Sequence, residues 1–228
     1  MKIIQTKDYD EMSDKACNLL LNQLSKKSNS VIGFATGKTP LGLYKRLIEE
    51  DADFSKVRAF NLDEYYPIKK ESKKSFYYYM FDNLFNYVNI KKSNINLLNG
   101  ETKNPEKECN RYEKKIKKNR IDLLILGLGI NGHIAYNEPG SSFKSRTRLV
   151  ELTNETTKNK RVPKKALTIG IDTIMSAKKV VLLACGKKKA KAVKCLVTGK
   201  ISERCPASVL RKHKNFTLII DKAAWSLS

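Results

Sequence analysis

Short apolar runs separated by stretches of helical period constrain this chain more than any other feature. The runs are SVIGFA (30–35), VRAFNL (57–62), DLLILGLG (122–129), ALTIGI (166–171), VVLLAC (180–185) and FTLIID (216–221). Most are apolar throughout rather than alternating, as strands covered on both faces of a parallel sheet are. Helix-like stretches lie between them, at 8–26, 40–50, 73–86, 105–118, 187–198 and 205–212. Strand–helix alternation of this kind predicts an α/β fold, a doubly wound, mostly parallel open sheet with helices on both faces and right-handed crossovers. No repeat, low-complexity linker or composition break interrupts the pattern, so residues 1–228 are expected to form one Rossmann-like domain. In such sheets ligands bind beyond the carboxyl ends of the strands, which directs attention to three loops.

The first is ATGKTP (35–40), after the first run. It imitates a nucleotide-binding P-loop, but Gly33 and Gly37 enclose three residues where G-x-x-x-x-G-K-[ST] needs four. Thr36, Gly37, Lys38 and Thr39 nonetheless form a glycine turn feeding a helix N-terminus, with Pro40 suited to the first turn. Free N–H groups and the positive end of the helix dipole make such a turn a phosphate site. The second loop begins FNLDEYY, with Asp63 and Glu64 adjacent. Successive strand residues point to opposite faces, so one of the two faces a given pocket.

The third loop is GLGINGHIAYNEPGSSFKSRTR, Gly127 through Arg148. It carries His133, one of two histidines, flanked by Asn131, Gly132, Asn137 and Glu138. An imidazole transfers protons near neutral pH, and a neighbouring carboxylate fixes its tautomer and raises its basicity. Gly127, Gly129 and Gly132 carry the G-x-G-x-x-G spacing of a dinucleotide fingerprint, but that motif must open a helix, and Pro139 and Gly140 break the stretch that follows it, so the fit is poor.

The formal charge of +22 invites a nucleic-acid reading. However, 36 of the 45 basic residues are Lys and they are scattered over the chain, as in solvated helix faces. The expectation is therefore no specific nucleic-acid partner, with anionic substrates attracted. Five widely spaced cysteines without C-x-x-C suggest neither a disulfide framework nor a zinc site. MKIIQTKDYDEM lacks the apolar core of a signal peptide and no run reaches transmembrane length, so a cytoplasmic protein away from membranes is expected.

ATGKTPLGLYK, FNLDEYY, LNG, the Gly127–Arg148 block, VPKKALTIGI and SVLRKH together resemble the glucosamine-6-phosphate deaminase family. The resemblance runs in order from about residue 5 to residue 224, and GHIAYNEP is its most specific part. It implies conversion of glucosamine 6-phosphate and water to fructose 6-phosphate and ammonia, in amino-sugar catabolism, with no metal or organic cofactor. By this resemblance His133 opens the sugar ring, oriented by Glu138 and Asn131, the latter standing where many members have Asp. Asp63 is the base that moves the C2 proton to C1, and Glu64 is structural. Thr36 to Thr39, Arg161 and Lys189 hold the phosphate. The segment TNETTKNKRVPKK is shorter than the corresponding family segment, which leaves Lys158 and Lys160 as alternatives to Arg161. Lys187 and Lys188 stand beside Lys189, which family spacing selects.

The same motifs fit a galactosamine-6-phosphate deaminase/isomerase or a 6-phosphogluconolactonase, so these readings stay open at the level of sequence. The family's allosteric members bind an activator through an arginine, a lysine and a threonine after S-R-T-R, and through a C-terminal extension. Here Arg148 is followed by Val150 and Glu151 at the other positions, and the chain stops at Ser228. A monomer without response to N-acetylglucosamine 6-phosphate is expected.

Overall fold

The structure, a computed structural model, describes residues 1–157 and 161–227. Its elements, in chain order, begin with β1 (Lys2–Thr6), α1 (Tyr9–Lys26), β2 (Val31–Phe34), α2 (Leu41–Glu49), β3 (Arg58–Asn61) and β4 (Asp63–Tyr66). There follow α3 (Phe76–Met80), β5 (Ile95–Asn96), α4 (Pro105–Lys118), β6 (Leu123–Gly127), β7 (Arg148–Glu151) and α5 (Asn154–Thr157). The last are β8 (Lys165–Thr168), α6 (Ile171–Met175), β9 (Val180–Ala184), α7 (Ala190–Val197), β10 (Phe216–Asp221) and α8 (Lys222–Trp225).

Seven strands form a parallel sheet in the order β1-β10-β9-β6-β2-β3-β5. Both faces are covered, and strand alternation divides the side chains between them. Ile32, Phe34, Leu123, Ile125, Val181 and Leu183 face α1, α2 and the chain around Met80 and Leu84. Val31, Leu124, Leu126, Leu182 and Leu218 face α4, α6, α7 and α8. The doubly wound α/β fold expected from the apolar runs is therefore present.

From β2 the chain proceeds outward to β3 and β5 on one side, while β6, β9 and β10 lie on the other. The order reverses between β2 and β6, and a switch point of this kind opens a crevice beyond the carboxyl ends of the two strands. The loops after those strands are Thr36–Thr39 and Leu128–Glu138.

Several sequence expectations need correction. The run at 166–171 does not join the parallel sheet: β8 is the middle of a separate antiparallel sheet, β4-β8-β7. Ala166 and Leu167 are fully buried there, so the run is apolar for the same reason a parallel strand would be. β1 was not anticipated, because an edge strand with exposed Lys2 and Gln5 shows no continuous apolar signal. The helix expected over 73–86 starts at Phe76 and widens into a π turn at Phe81–Phe85, and the one at 205–212 is a 3-10 segment, Pro206–Lys212. The helix expected over 187–198 opens with a 3-10 turn, Lys187–Lys189, before α7. Arg148 and Val150 point inward from β7 while Leu149 and Glu151 are exposed, so Glu151 lies on the face opposite Arg148. Among the described residues no helix is long and apolar enough to cross a membrane.

Candidate active site

A cavity of about 450 Å³ opens at the switch point, a size suited to a small-molecule ligand. The loop after β2 supplies one wall, with Thr36, Gly37, Lys38 and Thr39 all lining it. Gly37 has φ +89°, a left-handed turn that glycine adopts without strain and that reverses the chain into α2. Its carbonyl accepts the Tyr79 hydroxyl at 2.6 Å, and the Lys38 carbonyl accepts the Tyr9 hydroxyl at 3.1 Å. The Tyr9 oxygen in turn accepts the Gly42 N–H in the first turn of α2 at 2.7 Å, which ties the loop to two helices. Pro40 sits at the N-cap position and Leu41 opens the helix.

β4 supplies the second wall. Asp63 lines the cavity and Glu64 points away from it, so alternation separates the two acids as expected. Asp63 is buried, and its Oδ1 has no hydrogen-bond partner. Burial, reinforced by the nearby Glu64 carboxyl, pushes its pKa up to about 8. Around it stands an aromatic wall of Tyr65, Phe76 and Tyr136, with ring centroids 4.8 to 6.0 Å apart.

The loop after β6 supplies the third wall. The Gly129 N–H donates to the His133 carbonyl at 2.9 Å and the Gly132 N–H to the Gly129 carbonyl at 3.1 Å, closing a tight loop. A Cβ on Gly129 would lie 2.4 Å from the imidazole, so only glycine lets the ring fold over this turn. Nδ1 of His133 lies 3.3 Å from Glu138 Oε2, off the line of a good hydrogen bond. Asn131 Nδ2 donates to the same Oε2 at 2.7 Å, while its Oδ1 accepts the backbone N–H of His133 at 3.2 Å. The Thr156 hydroxyl donates to Glu138 Oε1. Burial alone would raise the Glu138 pKa, but His133, Thr156 and Asn131 outweigh it and hold the carboxyl at about 2. Ala135, within this loop and lining the cavity, has φ +49°, a strained geometry for a residue with a Cβ.

The structure thus gathers Thr36, Gly37, Lys38, Thr39, Asp63, His133 and Lys189 around one cavity, with Asn131 and Glu138 directly behind His133. Lys187 and Lys188 do not line it. Arg161 does not either: it is exposed, and its carbonyl accepts the Lys74 ammonium. Lys158 and Lys160 lie outside the described residues. His213 is buried elsewhere; its Nδ1 accepts the Asn215 N–H, which leaves Nε2 to donate to the Ala177 carbonyl. Sequence reasoning missed Tyr65, Phe76, Tyr136 and Thr156. Tyr136 lay inside the most specific motif, three residues from His133, whereas Thr156 in NETT carries no signal of its own.

The sequence matches the family of glucosamine-6-phosphate isomerases and 6-phosphogluconolactonases over residues 7–219. It is 50% identical to a glucosamine-6-phosphate deaminase of Clostridium novyi (strain NT), over 99% of both chains. It is 49% identical to one of Thermoanaerobacter sp. (strain X514), covering all of this chain and 95% of that one. Among solved structures, a monomeric glucosamine-6-phosphate deaminase superposes with a TM-score of 0.98 at 41% identity, covering both chains fully. A 6-phosphogluconolactonase from Trypanosoma cruzi shares the fold, with a TM-score of 0.82 at 24% identity over 99% of this chain and 96% of that one.

Proposed function

The chain belongs to the glucosamine-6-phosphate isomerase/6-phosphogluconolactonase family, and on that premise we propose that it converts glucosamine 6-phosphate and water to fructose 6-phosphate and ammonia. One observation carries this choice within the family. An unpartnered, proton-avid carboxyl and an imidazole backed by a carboxylate face the same cavity from different walls, beside the glycine turn that leads into α2. Relatives near 50% identity that carry the deaminase name support it, whereas the lactonase shares less than a quarter of its residues.

The phosphate is held by the Thr36–Thr39 turn at the α2 N-terminus and by Lys189, which fixes the sugar for two proton transfers at different carbons. Arg161 is a further phosphate ligand by family resemblance; reaching the cavity requires its exposed side chain to turn inward. His133 takes the proton of the anomeric hydroxyl and delivers one to the ring oxygen, so the C1–O5 bond breaks and the aldehyde forms. Asn131 holds Glu138 and the His133 backbone, which sets the carboxylate beside the ring Nδ1, and the ionised carboxylate stabilises the imidazolium formed in passing. Asp63 then removes the C2 proton, and the electron pair moves through an enolamine as the proton is returned to C1. The product is the C2 imine. Water adds to it, and collapse of the carbinolamine expels ammonia and leaves the ketone of fructose 6-phosphate.

Ammonia released from glucosamine 6-phosphate, without added nucleotide and in the presence of a chelator, is the expected result. Absence of turnover, or faster hydrolysis of 6-phosphogluconolactone, would overturn the reading. We further infer a cytoplasmic monomer with hyperbolic kinetics and no response to N-acetylglucosamine 6-phosphate. The monomeric neighbour supports the oligomeric state, and Val150 beside Arg148 supplies no ammonium for an activator's phosphate. A stable hexamer on sizing, or a sigmoidal rate curve relieved by that sugar, would refute it.

A further inference from the structure

Glu64 has no place in the mechanism above, yet it is among the most deeply buried carboxyls of the described chain, at 1% exposure. Its Oε1 accepts the N–H groups of Tyr65 and Phe76 at 2.9 and 2.8 Å, and its Oε2 accepts that of Tyr77 at 2.7 Å. Phe76 and Tyr77 open α3, where N–H groups have no partner inside the helix. The next, that of Tyr78, goes to the Ser75 hydroxyl at 2.9 Å. The first turn of α3 is therefore capped jointly by Ser75 and by a carboxyl arriving from β4.

Two links run from this cap to the reaction. Phe76 lines the active-site cavity and packs on Tyr65 at 4.8 Å, so anchoring its N–H anchors the aromatic wall beside Asp63. Glu64 is also the chain neighbour of Asp63, and its charge opposes ionisation of that residue. On this basis, and resting on the deaminase reading, we propose that Glu64 is a positioning residue that holds the Phe76 wall and places a like charge beside the Asp63 base.

The surroundings admit this role. Within electrostatic reach of Asp63 are Glu64 on its own strand, Tyr65, Tyr136 from the loop after β6 and Tyr112 from α4. His133, Lys38 and Lys189 stand around the same cavity. Behind Glu64 lies a second cavity of about 480 Å³, lined among others by Lys70, Tyr77, Lys92 and Glu101. Burial raises the Glu64 pKa to about 7 against the pull of its three N–H donors, and no cation contributes. Both acids therefore hold their protons well above the ordinary carboxylate range.

The test separates charge from reach. Glu64→Gln keeps the length and, through its amide oxygen, the Tyr65 and Phe76 N–H contacts, while removing the charge and the Tyr77 contact; the acid limb of kcat/KM for glucosamine 6-phosphate should move down by about one pH unit. Glu64→Asp keeps the charge but withdraws it from α3; the limb should stay while KM rises about 10-fold as the wall loosens. An unmoved limb in the glutamine variant overturns the proposal, as does an equal loss in both variants at every pH. Should the glutamine variant fail to fold, carboxyl ¹³C titration of the wild-type protein decides. An Asp63 resonance that titrates far above its ordinary 3.8, with an inflection where Glu64 titrates, supports the proposal, and an Asp63 curve that does not sense the Glu64 titration overturns it. That titration needs no substrate, so it stands apart from any failure of ammonia release, which would sink the deaminase reading instead.

Discussion

Asp63 on one wall of the cavity and Glu138 behind His133 on another are both buried residues, and their proton affinities lie far apart. Asp63 is driven to about 8, while Glu138 is held at about 2. Burial acts on both in the same direction and weighs more on Asp63, which it drives upward; at Glu138 the partners outweigh it. Asp63 has an orphaned oxygen and a like-charged neighbour; Glu138 has Asn131, Thr156 and the imidazole of His133 around it. One wall therefore offers a base able to remove a carbon-bound proton near neutral pH, and the other a permanently ionised group that steadies a histidine.

The comparison is broken most severely at Asp63. Asp63→Asn should lower turnover by about 10³-fold, the range expected for loss of a general base. It should also abolish exchange of the C2 proton with deuterated solvent while sugar-phosphate binding persists. Retained exchange would move the base elsewhere. His133→Gln should cost about 10²-fold with the closed-ring substrate and under about 10-fold with an open-chain analogue. Equal losses on both forms would show that ring opening is not its task.

The difference between the two walls also explains what was legible in the sequence. The His133 wall is local: Asn131, His133 and Glu138 lie within eight residues, so their chemistry can be read from one motif. The Asp63 wall is not. FNLDEYY looks like a strand ending in an acidic turn, because β4 pairs with β8 more than a hundred residues later. Its aromatic lining comes from residues 65, 76 and 136, which only the antiparallel sheet brings together. Strand alternation did separate Asp63 from Glu64, but which of them faced the cavity came from family resemblance. The central strands β2, β6, β9 and β10 were legible because both faces of each are buried. β1, β5 and β7 were not, being short or polar.

A third wall sharpens the contrast, since it should govern binding rather than proton transfer. Lys189→Met and Thr39→Val remove candidate contacts to the phosphate, and each should raise KM by about 10-fold, the scale of one charge-assisted hydrogen bond. If remote binding also fixes the sugar for catalysis, kcat falls with it, by a smaller factor. The C2-exchange rate at saturating substrate reads this directly. An unchanged KM in the Lys189 variant would transfer the phosphate role to another cation, Arg161 first.

The smallest expected effect is on stability, and its sign differs between the two carboxyls. The folded pKa of Asp63 is raised above its ordinary 3.8 to about 8. The folded state therefore binds its proton more tightly than the unfolded state does. That contribution is fully present below about pH 4 and is lost as pH rises through 8. At pH 8 the charge is a burden on folding, and Asp63→Asn should raise Tm by about 3–6 °C, the shift that about 1–2 kcal/mol gives a domain of this size. Glu138 is the reverse. Its folded pKa is depressed from 4.5 to about 2, so its stabilisation is present above pH 4.5 and fades as pH falls toward 2. Glu138→Gln should lower Tm by a similar amount at pH 7, with the deficit shrinking below pH 4. Melting curves of the two variants across pH 3–9 check both signs. Variants shifting Tm in the same direction at pH 8 would mean that the two walls do not differ as their hydrogen bonds imply.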